Sequence, residues 1–131
     1  MANAGTKSAG AVGTVVQITG PVVDIEFAVR ELPAIYNAVR VERADGSLVV
    51  EVQQHLGNNR VRSVAMTTTD GLARGAKATD LGAPISVPVG AGTLGRVFNV
   101  LGEAIDQAGA VKSDTALPIH RSAPPFEDLT T

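Results

Sequence analysis

The chain has 131 residues and a formal net charge of −2, with 44% hydrophobic and 18% charged residues, enough to fold one modest domain or a small domain with part of another. Aromatics are only 3%, too few for a base-stacking platform, and the slight acidity argues against a phosphate-backbone binder. There is no cysteine, which excludes disulfides, thiolate nucleophiles and cysteine-zinc sites, and no apolar run is long enough to span a membrane.

The first ten residues, MANAGTKSAG, lack the apolar core of a secretory signal and the Arg-rich face of an organellar presequence; they read as a flexible tail over 1–10. From about Ala11 the period is two. In VGTVVQI, Val12, Thr14, Val16 and Ile18 fall on one face, and Thr19-Gly20-Pro21 breaks the run. In VVDIEF, Val23, Ile25 and Phe27 share a face with Asp24 and Glu26 opposite. NAVRVE alternates Val39 and Val41 with Arg40 and Glu42 before the Asp45-Gly46 turn signal. SLVVEVQQHL sets Leu48, Val50, Val52 and Leu56 against Glu51, Gln53 and His55. After the turn Gly57-Asn58-Asn59, RVRSVAM is a fifth strand. A weak strand near Lys77 to Leu81 and the run PISVPV follow. Short strands at this spacing predict a mainly β fold, a small six-stranded antiparallel barrel over 11–88.

The period then changes. Thr93 reads as an N-cap, Leu94, Val97, Phe98 and Leu101 follow at helical spacing, and Gly102 ends the run, which predicts one short helix. The remainder, EAIDQAGAVKSDTALPIHRSAPPFEDLTT, is loop-like and rich in Pro. Residues 89–131 therefore read as the truncated start of a second, α/β domain.

Gly90, Gly92 and Gly95 match G-x-G-x-x-G, with Asp114 placed 19 residues later as the ribose acid of a dinucleotide fold would be. Pro88 suits a strand end better than a central parallel strand, and the helix is too short to cross back to a second one. The match is accidental: Gly90 makes a turn, Ala91-Gly92 are loop in which alanine at Gly92 should change little, and Gly95 lets the helix pack closely. Gly20 and Gly46 instead need turn conformations that alanine resists. Asp24 and Glu26 read as acids on a solvated barrel face rather than an acid/base pair. His55 and His120 lack a second ligand at metal spacing, and Ser63 and Thr67 lack a base. Arg60 and Arg62 suit cross-strand or intersubunit contacts. No catalytic, cofactor-binding or metal site is assigned to any residue.

The segments GTVVQITGPVVDIEF (13–27), LPAIYNAV (32–39), EVQQHLGNNRVRSVAM (51–66), DGLARG (70–75), APISVPVG (83–90), TLGRVFNVLGEAID (93–106) and PIHRSAPPFEDL (118–129) occur in this order. Together they closely resemble the N-terminal part of the catalytic beta subunits of F-type ATP synthases. EVQQHLG and TLGRVFNVLGE favour beta over the related alpha subunits. The departure is Ala104, where that family usually has Pro. The resemblance implies a crown barrel over 11–88 that forms a ring with alternating alpha subunits, followed by an incomplete start of the nucleotide-binding domain. It implies a parent that makes ATP by rotary catalysis with a proton gradient, contacts a central stalk, and binds Mg-ATP or ADP through residues after position 131. The parent would sit peripherally on the cytoplasmic face of a bacterial inner membrane, or be plastid-encoded. This segment would serve assembly and be inactive alone, with neither nucleic acid nor direct membrane insertion. The competing readings are a stand-alone small-barrel protein-binding module and a small dinucleotide enzyme.

Overall fold

A computed structural model describes residues 10–129; apart from Gly10, the tail expected over 1–10 lies outside the described residues. Three two-residue turns organise the barrel. Gly20-Pro21 joins β1 (Val12–Thr19) to β2 (Val22–Phe27), with Gly20 at φ 58°. Ala44-Asp45 joins β3 (Asn37–Arg43) to β4 (Gly46–Gly57). Asn58-Asn59 joins β4 to β5 (Arg60–Ala65), both at positive φ (49° and 59°), as a type I′ hairpin requires. Strand β6 (Lys77–Pro84) then pairs with both β1 and β3. The strand order β1-β2-β5-β4-β3-β6 closes on itself, and every pairing is antiparallel. The fold is mainly β, with a closed six-stranded barrel as the alternating pattern predicts.

The barrel interior is aliphatic. Val15, Val23, Ile25, Val39, Val41, Leu48, Val50, Val52 and Val61 are buried together, with Phe27 and Ala78. Ser63 also faces inward, satisfied by donating to the Val23 carbonyl at 2.7 Å.

Two strands differ from the simple alternation. On β1 the buried residue is Val15, while Val12 and Thr14 are exposed. The inward partner before Val15 is Gly13, whose missing side chain makes room for the Phe27 ring; a Cβ there would lie 2.9 Å from it. A bulge at Val16 then shifts the register, so Ile18 packs against the core. On β4, bulges at Gln53 and Leu56 turn Leu56 outward instead of into the core.

The chain divides after Ile85 into two compact units. In the second, β7 (Ser86–Val89) pairs antiparallel with β8 (Thr115–Pro118), a strand inside the segment expected to be loop. The expected helix over 93–101 is not formed. A single 3₁₀ turn covers Ala91–Thr93, and Phe98 bridges to Ala104 instead. Gly95 takes φ 74°, which breaks helical propagation, and Asn99 captures the amides of Leu101 and Glu103 with its side-chain oxygen.

Candidate functional site

The glycine-rich stretch does not form a phosphate cradle. Such a site needs a strand running into a helix whose N-terminal amides point at the ligand. Here Gly90 has φ 109°, and Thr93, expected as a cap, donates its hydroxyl back to the Gly90 carbonyl at 2.7 Å. Gly92 is nevertheless required, contrary to the expectation of a tolerant loop. A Cβ on Gly92 would overlap the Lys112 carbonyl oxygen, so the backbones meet there too closely for any side chain. Gly95 does not ease helix packing; a Cβ there would meet open space, and positive φ is its only demand.

The two acids of β2 are placed by the barrel opposite two arginines of β5. Asp24 pairs in register with Arg62, and Glu26 with Arg60. Arg62 Nε and Nη2 donate to the two Asp24 oxygens at 2.9 and 2.8 Å, a bidentate fork. Arg60 Nε donates to Glu26 Oε2 at 2.7 Å. The hydrogen bond to Asp24, and then its charge, raise the Arg62 pKa further. Asp24 is only 5% exposed, so it is not on a solvated face as the alternation suggested; Glu26 is exposed. Each acid is committed to a guanidinium, and the two do not form a carboxylate dyad. The cross-strand role expected of Arg60 and Arg62 holds.

These pairs border a groove of about 940 Å³ on the barrel exterior. The bulged Val16 and Leu56, at the end of β4, supply its apolar surface. Arg74, from the loop before β6, adds a third guanidinium.

A second polar cluster lies where β3 meets β6. Asn37 Nδ2 donates to both Asp80 oxygens at 3.2 and 3.4 Å, and the Gly82 amide donates to Asp80 Oδ1 at 2.9 Å. Asp80 is 1% exposed. Sequence alternation gave no sign of this pair, because Asn37 precedes the apolar run and Asp80 interrupts a weak one.

In the second unit Arg96 grips Asp106 through Nε at 2.6 Å and Nη2 at 2.9 Å, and Nη2 also donates to the Gly109 carbonyl at 2.6 Å. The amides of Val97 and Ala108 donate to the same carboxylate. The guanidinium hydrogen bonds, followed by the two amides, hold the Asp106 carboxyl well below the ordinary range. This is a turn staple: every acceptor position is taken up by the chain itself.

His55 Nε2 lies 2.7 Å from the Pro33 carbonyl and ties down the loop between β2 and β3. Ser63 is spent on its backbone bond, and Asp114 is exposed outside any strand. Among the described residues, no group of three His, Cys, Asp or Glu could hold a metal, and no helix is long and apolar enough to cross a membrane.

The arrangement is a scaffold whose polar chemistry pairs strands and pins turns. Its β1 to β6 barrel coincides with the span matched by a family model, that of the ATP synthase alpha/beta family, beta-barrel domain, over residues 15–82. A match over half of the chain, on a closed six-stranded barrel, makes this chain a member of the ATP synthase alpha/beta family.

Proposed function

We propose that this chain is the N-terminal segment of the catalytic beta subunit of an F-type ATP synthase, and that its barrel serves ring assembly. The observation that carries the reading is a closed barrel with the family match, bearing the beta-type motif EVQQHLG on β4. A closed barrel has no unpaired strand edge, so it joins neighbours through side chains rather than through added strands. Its exterior offers Val12, Val29, Ile35 and Tyr36, each more than 40% exposed.

In this reading the neighbours are alpha-subunit barrels, alternating with beta in a hexamer that engages a central stalk. The parent enzyme makes ATP from ADP and phosphate by rotary catalysis, driven by a proton gradient, as a peripheral complex on the cytoplasmic face of a bacterial inner membrane. Mg-nucleotide is held by a P-loop; the motif G-x-x-x-x-G-K-[ST] does not occur in these 131 residues. The segment contributes contacts, and residues 89–131 begin the nucleotide-binding domain.

The test is competition. Alpha and full-length beta subunits are assembled with excess chain, and the hexamer is isolated and assayed. Incorporation of the chain, with ATPase activity falling in proportion, is expected. A chain that elutes alone and leaves activity unchanged overturns the proposal.

A further inference from the structure

We propose that the guanidinium-lined groove on the barrel exterior is a docking site for an extended acidic segment of another polypeptide, one with an Asp or Glu flanked by aliphatic residues. The inference stands on the groove itself and does not depend on the identity of the assembly.

The groove combines Val16 and Leu56 with Arg60, Arg62 and Arg74, against one lining acid, Asp24, and the Glu26 carboxylate bonded to Arg60 at its border. Two of the three cations are held in place before any partner arrives. Arg62 is fixed by its two-point bond to a buried carboxylate, which leaves its Nη1 without a partner in the fork. Arg60 is held through Nε alone, which leaves both terminal nitrogens available. Side chains already ordered lose little entropy when they bind. Arg74 has no hydrogen bond or ion pair to any described residue. Asp24 and Glu26 offset Arg62 and Arg60, so one net positive charge, that of Arg74, remains beside the unused guanidinium N–H groups, and together they select an anionic partner.

Shape and surface choose among anions. The groove is large and open, so it would leave a small anion mostly in water, whereas an extended segment can lie along it. Half-exposed Leu56 and the bulged Val16 reward aliphatic neighbours of the acid, which phosphate lacks. Guanidinium forks match a carboxylate in the geometry that Asp24 already displays.

The probe is a nine-residue peptide of alternating Val and Glu, titrated into the ¹⁵N-labelled full chain at low salt. Binding should shift the amides of Gln17, Asn58 and Gly75 and the Arg Nε signals around the groove. Arg74→Ala should weaken binding about fourfold, and Arg74→Lys should retain most of it. Lys77→Ala, which removes a cation paired with Glu42 outside the groove lining, should leave affinity unchanged. The dispersed spectrum of each variant reports its fold in the same experiment. The proposal is overturned if the groove signals stay still at millimolar peptide, if a Val-Gln peptide binds equally well, or if inorganic phosphate binds the same residues as tightly.

Discussion

Asp24 and Arg62 face each other across β2 and β5, but the barrel covers them unequally: the Asp24 side chain is 7% exposed and that of Arg62 44%. Their deletions should therefore differ. Without Asp24 the guanidinium turns to water at little cost. Without Arg62 a nearly buried carboxylate loses the two guanidinium donors that satisfy it. Arg62→Ala should lower stability in urea by roughly twice as much as Asp24→Ala. Equal losses would mean that the pair acts only as surface charge.

Asn37 and Asp80 form a second buried side-chain pair of the barrel. Asp80→Ala strands the Asn37 amide and the Gly82 N–H, and should cost about 2–4 kcal/mol. Asn37→Asp keeps the shape but sets two carboxylates against each other in a buried site, so it should be worse than Asn37→Ala near neutral pH. Denaturant midpoints of the three variants check the order.

What the sequence disclosed and what it hid follow from the range of the signals. The six barrel strands were legible because residues two apart on one strand share an environment. The phase of β1 was not, because Gly13 occupies an inward position without an apolar side chain and the Val16 bulge then resets the count. The helix expected over 93–101 failed for a related reason. Leu94, Val97, Phe98 and Leu101 have helical spacing, but local chemistry at Gly95 and Asn99 outweighs it. Gly92 was misjudged because its constraint comes from Lys112, twenty residues away in sequence. The groove arginines were visible as residues, but their convergence depends on barrel closure.

Gly92→Ala should accordingly be damaging. The new methyl group would collide with backbone rather than with a side chain that can swing away, so the turn carrying Gly92 and the segment carrying Lys112 must part. A loss of about 1–3 kcal/mol in the second unit is expected. Gly20→Ala and Gly46→Ala meet no atoms and carry only the positive-φ penalty, about 1 kcal/mol each, confined to the barrel. Hydrogen exchange, which reads the two units separately, would show the contrast.

Acid should loosen the second unit through Asp106. Its carboxyl is held below the ordinary value of 3.8, so the unfolded chain takes up a proton at higher pH than the folded one. The contribution is therefore complete above about pH 4 and is lost as pH falls from there through the lower folded value. Asp106→Asn should remove this part of the acid dependence and weaken the turn at neutral pH. A ¹³C titration of the carboxyl checks it; a midpoint at the ordinary value would exclude the staple.

Asn99 distinguishes the observed turn from a helix most sharply. Its side-chain oxygen accepts from the amides of Leu101 and Glu103, both at 3.0 Å, and its Nδ2 donates to Glu103 Oε2 at 2.8 Å. Its backbone bonds Glu103 and Gly102 as well, while Ile105 N–H reaches the Val97 carbonyl at 2.9 Å. In a helix, alanine at this position would be stabilising, since Ala has the higher propensity. In the turn, Asn99→Ala removes the acceptor of two amides and should cost about 1–2 kcal/mol locally. Exchange at Leu101 and Glu103 should then rise by about tenfold, with the barrel amides unchanged. Slower exchange across 94–101 in the variant would instead restore the helix that the apolar spacing predicts.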